Sequence, residues 1–279
     1  MLTPDRKTCE VNGINMSYLS SGAGVPFLML HGLLSNALDF SFQFDEFRNR
    51  FSCLAPDIRG AGMTETPDPG SASFHRAVDD ILEFITAAIP LERRFVLLGH
   101  SYGGIISLEL LSRIPERITA VIFISSPAAI SDKLLSRTGI SLYESVLPVI
   151  RHVVRFNHLV DFYSQFININ PLNLTPQLRQ LLSARNRLLS ENDMVAMKGY
   201  LDSVLNWEPP SFPKHFNIPS ALFYGDRDIL FSRKDVSRLR KHLPDINISR
   251  IDGTGHSCMH EKPDVFNSCL TEFLDRCEI

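Results

Sequence analysis

No stretch of this sequence is long and apolar enough to span a bilayer. The longest strongly apolar run, around Val25 to Leu34, is broken by His31 and Gly32, whereas a spanning helix needs about 20 such residues. The opening residues, Met1-Leu-Thr-Pro-Asp-Arg-Lys, lack the apolar core of a signal peptide. The five cysteines (Cys9, Cys53, Cys258, Cys269, Cys277) are odd in number, scattered and without CxxC spacing. They suit reduced thiols, and a cytoplasmic location is expected. A formal net charge of −3 gives no overall pull toward nucleic acid or an anionic membrane, so neither is expected as a partner. The basic cluster Arg233, Lys234, Arg238, Arg240 and Lys241 alternates with Val236 and Leu239, as the solvated face of an amphipathic helix does. Gly60-Ala61-Gly62 lacks the third glycine and following helix of a dinucleotide fingerprint, and no HExxH occurs. His256, Cys258, His260 and Glu261 crowd together, yet Pro263 follows and no second ligand cluster has suitable spacing, so no metal is expected. Internal repeats and low-complexity tracts are also missing.

What remains is an ordinary globular composition over 279 residues, 44% apolar and 21% charged. That length accommodates a large core, and a single α/β domain with an insertion fits it. The organising stretch runs from Arg94 to Leu111. Phe95-Val96-Leu97-Leu98 reads as a buried strand, and Ile105 to Leu111 reads as a helix packed on a sheet. Between them Gly99-His100-Ser101-Tyr102-Gly103-Gly104 must turn sharply, with glycines where a Cβ would crowd the backbone. Ser101 therefore occupies the tip of a strand-to-helix elbow, beside the positive end of a helix dipole.

The rest of the chain alternates strand and helix around this point. Asn12-Gly13 between short alternating runs signals an opening hairpin. Pro26 to Leu30 is an apolar strand that runs into His31-Gly32-Leu33-Leu34-Ser35-Asn36. A helix is expected from Ala37 to Phe51 with Phe40, Phe44 and Phe47 on its buried face, then a strand to Pro56 and the turn Asp57-Ile58-Arg59-Gly60. A helix from Phe74 to Ile89 precedes the elbow, and the strand Ile118 to Ile124 follows it, ending in Ser125-Ser126-Pro127 with no carboxylate. From Ala128 to about Phe216 only helical patterns occur, at Leu134 to Leu147, Pro148 to Phe162, Thr175 to Leu189 and Asn192 to Leu205. About 85 residues without a strand exceed an ordinary connection. The strand Pro219 to Tyr224, the helix Ser232 to Leu243 and the strand Ile246 to Ile251 then resume the rhythm. A flexible loop through Gly253, Gly255 and His256 precedes a last helix from Asp264 to Cys277.

The Gly-x-Ser-x-Gly elbow, the His-Gly-Leu segment and the Asp-x-Arg-Gly turn together resemble the α/β-hydrolase superfamily, in its capped, esterase-like branch. The resemblance covers nearly all of the chain outside the helical insertion. It implies an eight-stranded, mostly parallel sheet with helices on both faces. It also implies a core domain in two parts, residues 1–127 and 217–279, with a helical cap at 128–216 between them. It makes Ser101 a nucleophile, His256 its base and Asp228 the acid that orients His256, in the chain order Ser, Asp, His. Gly225 sets the register for Asp228, through the family's Gly-x-x-Asp pattern, and Asp226 is the competing acid. The backbone N–H groups of Leu33, or of Leu34 one residue on, and of Tyr102 map onto an oxyanion hole. The expected activity is hydrolysis of a small-to-medium, largely apolar carboxylic ester, lactone or thioester through an acyl-enzyme, with a small molecule as substrate and no cofactor. A carbon–carbon bond hydrolase and a small-molecule receptor with little turnover are the alternatives. A serine at the elbow argues against the dehalogenase and epoxide hydrolase branches, which use a carboxylate nucleophile. No arginine or lysine lies in His31 to Asp39 or in Ser101 to Leu111 to grip an acidic substrate. Arg151, Arg155, Arg179 and Arg185 in the cap are the remaining candidates.

Overall fold

The computed structural model describes residues 4–127, 169–189, 191–204, 207–212 and 217–279. Its centre is an eight-stranded sheet in the order β1-β2-β4-β3-β5-β6-β7-β8. Strands β1 (Asp5–Val11) and β2 (Ile14–Ser21) form the expected hairpin, with Asn12 and Gly13 at φ of 44° and 75°. Two positive φ values in succession are what a tight hairpin turn between right-twisted strands requires. β2 pairs antiparallel with β4 (Phe51–Pro56), and from there the sheet is parallel: β3 (Val25–Leu30), β5 (Phe95–His100), β6 (Ile118–Ile124), β7 (Ser220–Gly225) and β8 (Asn247–Ile251).

The central parallel strands β3, β5, β6 and β7 are largely apolar because both faces are covered. In β3, Leu28 and Leu30 join the core on one face, while Phe27 and Met29 join the core on the other. The first face packs against α2 (Phe74–Ala88) and α3 (Tyr102–Arg113) through Ile81, Phe84, Ile105 and Leu108. The opposite face packs against α1 (Ser41–Phe47) and the C-terminal helix through Phe44, Phe47, Phe266 and Leu270. A period of two along each strand thus meets a helical period on either side.

Two differences from the expected elements concern the chain near the strand ends. The helix expected over Ala37 to Phe51 divides into a 3₁₀ turn, Ala37–Phe40, and α1. Asn36 Oδ1 caps the start of the turn by accepting the Leu38 N–H at 3.1 Å, and at the junction Ser41 Oγ donates to the Leu38 carbonyl at 2.7 Å. Of the helical insertion, α4 (Pro176–Asn186) and α5 (Glu191–Val204) are described, whereas the helices expected at Leu134 to Leu147 and Pro148 to Phe162 lie outside the described residues. Past β7, α6 (Arg233–His242) carries the basic solvated face. Residues 253–256 form a loop as expected, and a one-turn helix α7 (Cys258–Glu261), which the sequence did not announce, comes between that loop and α8 (Pro263–Arg276), which has proline in its first turn.

The turn after β4 is held by two buried acids. Asp57 accepts the Ala37 N–H at 2.7 Å, Arg6 Nη1 at 2.7 Å and the Met63 N–H at 2.9 Å. Arg59 forms a two-pronged ion pair with Asp80 on α2, at 2.6 and 2.8 Å. Both partners are buried, so losing one strands the other charge away from water. Arg59→Met should therefore destabilise the protein by about 3–5 kcal/mol, read as a lower urea midpoint with an unchanged denaturant slope. An Arg59→Met/Asp80→Leu double variant should recover much of the loss.

Candidate active site

The site lies at the C-terminal edge of the parallel strands, where β3, β5, β7 and β8 all deliver their loops. Ser101 sits between β5 and α3 with φ 52° and ψ −115°, a backbone conformation that costs a non-glycine residue about 1–3 kcal/mol. The surroundings enforce it. The Ser101 N–H donates to the Ile124 carbonyl at 2.9 Å, and the Ser101 carbonyl accepts Ser126 Oγ at 2.8 Å. Two glycines allow the approach: a Cβ at Gly99 would stand 2.5 Å from the Gly103 carbonyl oxygen, and one at Gly103 would stand 2.1 Å from that of Leu30.

Gly32 brings the His-Gly-Leu loop to this serine. A Cβ on Gly32 would lie 3.2 Å from Ser101 Cβ. His31 then aims the peptide that follows. Its Nε2 accepts the Ile58 N–H at 2.9 Å, which leaves the proton on Nδ1 to donate to the Gly32 carbonyl at 2.8 Å. Carbonyl and N–H point opposite ways across a planar trans peptide. Tying down the Gly32 carbonyl therefore turns the Leu33 N–H away from His31. Among the described residues, neither this N–H nor that of Tyr102 donates to another protein group. Leu34, the other candidate donor, has φ 53°.

The structure pairs His256 with Asp228 and not with Asp226. His256 Nδ1 lies 2.9 Å from Asp228 Oδ2, and Asp228 Oδ1 accepts the N–H groups of Leu230 and Phe231 at 2.8 and 2.9 Å. Burial pushes the Asp228 carboxyl up, but the His256 charge and these hydrogen bonds outweigh it and hold it below the usual carboxylate range. With Nδ1–H engaged, the neutral imidazole leaves Nε2 to accept a proton. Asp226 instead accepts the Gly253 N–H at 2.5 Å from an exposed position.

Behind the elbow lies a buried polar cluster that sequence reasoning missed. Asp39, fully buried, meets Arg185 of α4 at 3.1 Å, His260 Nε2 at 3.7 Å and His100 Nδ1 at 3.8 Å. Its backbone carbonyl accepts His260 Nε2–H at 2.6 Å. His100 Nε2–H in turn donates to the His256 carbonyl at 3.2 Å, and the two rings lie 5.1 Å apart. The visible signal was an acid between Leu38 and Phe40 in an otherwise apolar segment. Arg185 is fully engaged, since its Nε and Nη2 also donate to Asn186 Oδ1 at 3.3 and 3.2 Å. Arg179 is exposed, while Arg151 and Arg155 lie outside the described residues.

Three of the insertion's aromatics are described, Tyr200, Trp207 and Phe212, and all pack on the core. Tyr200 stacks 5.2 Å from Tyr102 and donates its hydroxyl to the Arg59 carbonyl, and Trp207 lies 5.2 Å from Phe74. Tyr200, Met197, Tyr102 and the loop from His31 to Ser35 line a cavity of about 20 Å³, which is room for about one water molecule. Cys258 is a buried thiol pushed well up by desolvation, as a small hydrophobe would be. Among the described residues, no group of three or more His, Cys, Asp or Glu could hold a metal ion, and no helix is long and apolar enough to cross a membrane.

A family model described as alpha/beta hydrolase fold matches residues 25–263, and the chain belongs to that family. Curated relatives run nearly end to end with it. A cis-3-alkyl-4-alkyloxetan-2-one decarboxylase of Shewanella oneidensis is 21% identical over 96% of this chain and 87% of its own. A putative esterase/lipase of Mycoplasma pneumoniae is 26% identical over 89% and 88%. Among solved structures, a thermophilic esterase of Thermogutta terrifontis superposes with a TM-score of 0.81 at 18% identity, covering 99% of this chain and 100% of that one.

Two outcomes follow from this geometry. Asp228→Asn should lower kcat by about 10⁴-fold by favouring the wrong histidine tautomer, and Asp226→Asn should cost less than tenfold. Steady-state kinetics on both variants reads the difference, and a reversal would move the orienting role to Asp226. The buried histidines contribute to the acid limb of stability. Burial pushes His31, His100 and His260 below the ordinary histidine value of 6.5, His260 to about 4. Below pH 6.5 the unfolded chain binds protons that the folded chain refuses, so stability present above 6.5 is lost progressively down to about pH 4. Urea unfolding from pH 8 to pH 4 should show the midpoint falling through that window, less steeply in His260→Leu.

Proposed function

We propose that the protein is a serine hydrolase that cleaves a small-to-medium, largely uncharged carboxylic ester through an acyl-enzyme on Ser101. The observation that carries the reading is the His256–Asp228 hydrogen bond of 2.9 Å, with the His256 ring 5.1 Å from that of His100, the residue before a serine held at φ 52°. In the proposed cycle His256 Nε2 takes the Ser101 hydroxyl proton as Oγ attacks the ester carbonyl. The oxyanion gathers the N–H groups of Leu33 and Tyr102, and Tyr102 adds the field of the α3 N-terminus. His256 returns the proton to the departing alcohol. Water, deprotonated by His256, then attacks the acyl-enzyme and frees Ser101. Asp228 stays ionised throughout and stabilises the imidazolium.

An uncharged substrate is supported by the fate of Arg185, whose guanidinium is consumed by Asp39 and Asn186. The names of the relatives, esterase/lipase and esterase among them, agree with acyl chemistry. We further propose that residues 128–216 form a cap that selects the acyl group, with α4 and α5 seating it on the core. A fluorophosphonate probe should label Ser101, seen by mass spectrometry, and Ser101→Ala should abolish labelling. Short and medium p-nitrophenyl esters should be turned over with a higher kcat/KM than a vinylogous diketone acid. A diketone acid preferred by about a hundredfold, or about 2.7 kcal/mol in transition-state stabilisation, would replace the ester reading with carbon–carbon cleavage.

A further inference from the structure

The loop that carries His256 is gripped by a carboxylate with no part in the proposed cycle. Glu261, on the one-turn helix after that loop, is buried. Its Oε1 accepts the Gly255 N–H at 2.7 Å, immediately before His256. Its Oε2 accepts the Asn170 N–H at 2.9 Å and Asn173 Nδ2 at 2.8 Å. Both asparagines also donate Nδ2 to the Gly253 carbonyl at 2.7 Å. Residues 253–255 are therefore bracketed between Glu261 and the turn that leads into α4.

We propose that Glu261 is a positioning residue, which fixes His256 toward Ser101 and ties that orientation to the seating of the Asn170–Asn173 turn. The inference rests on the reading of His256 as the catalytic base. Three anchors define that histidine: Glu261 holds the peptide entering it, His100 holds its carbonyl, and Asp228 holds its ring. Two of these act on the backbone, so a slip of the loop would swing the imidazole away from Ser101 while leaving the Asp228 contact free to follow. All the partners of Glu261 are N–H donors, on both of its oxygens. An ionised carboxylate accepts on both sides, whereas an amide of the same shape accepts on one and presents N–H to N–H on the other. The isosteric Glu261→Gln is thus a severe change here.

The test compares Glu261→Gln, Asn173→Ala and their double variant with the parent on a p-nitrophenyl ester, with kcat expressed per fluorophosphonate-titrated site. That normalisation removes any loss of folded protein, which is all that a merely structural residue would cause. The expected result is a fall in kcat of about a hundredfold for Glu261→Gln, the scale of a misplacement of about 1 Å in a catalytic group, with KM within about threefold. Asn173→Ala should lose less, and the double variant should lose no more than Glu261→Gln alone, since both act through one clamp. If Glu261→Gln fails to fold, Asn173→Ala still decides. A fall in its per-site kcat at unchanged KM supports the clamp, and parental kcat overturns it. Per-site kcat within threefold of the parent in Glu261→Gln, or fully multiplicative losses in the double variant, also overturns it. His256→Asn is run alongside: activity surviving there would sink the reading of His256 as base, whereas loss there with an unaffected Glu261→Gln would sink the clamp alone.

Discussion

Everything at the site depends on how tightly α3 starts against the end of β5. The helix begins one residue after the strand, and the turn has space for no side chain at Gly103, where the Leu30 carbonyl of the neighbouring strand closes in. Ser101 absorbs the compression in its backbone at φ 52°. Strain of that size persists only where surrounding contacts over-determine it, and here the Ile124 carbonyl and Ser126 hydroxyl do so. The result is a hydroxyl at the head of a helix and at the edge of the sheet.

A parallel sheet brings the remaining groups to the same edge. Strands that run one way finish on one side, so the His-Gly-Leu loop after β3, the acid after β7 and the histidine after β8 arrive beside the elbow after β5. Order in the sheet matters as much as direction. β3 is hydrogen-bonded to β5, which puts Gly32 against Ser101, and β7 is hydrogen-bonded to β8, which puts Asp228 within reach of His256.

Beneath that edge the protein spends buried charge to hold irregular chain. Asp39 and Glu261 are carboxylates in the interior, the first tolerable beside a guanidinium and the second because N–H donors meet both of its oxygens. Asp39 answers a guanidinium and two imidazoles, and Glu261 answers N–H groups. Both join residues of the 128–216 segment to the core, one behind His100 and one behind His256. The segment is thereby anchored by polar contacts at its base and by Tyr200 and Trp207 on the α2–α3 face. Polar anchors specify a single seat, since a shifted one would leave a buried carboxylate unpaired.

Much of this was legible in the sequence because it is written in short-range patterns. The Asn12-Gly13 turn, the apolar strands, the amphipathic α2 and the Gly99-to-Gly104 elbow each depend on residues within a few positions of one another. The family pattern put Asp228 three residues past Gly225, and that same acid is the one found against His256. Where local pattern ran out, the expectations blurred. The helix after Asn36 divides at Ser41, whose hydroxyl donates to the Leu38 carbonyl, and the stretch after His256 carries a turn of helix that no pattern announced. What only the tertiary structure decided are the partnerships across long separations. Arg185 meets Asp39 from 146 residues away, and Asn173 meets Glu261 from 88. No spacing encodes such pairs, because a buried donor and acceptor find each other through the packing of whole helices and strands. His260 and Glu261 could be read in sequence only as a doubtful ligand set. In the fold, exclusion of water and the orphaned N–H groups around them determine which hydrogen bonds they must make.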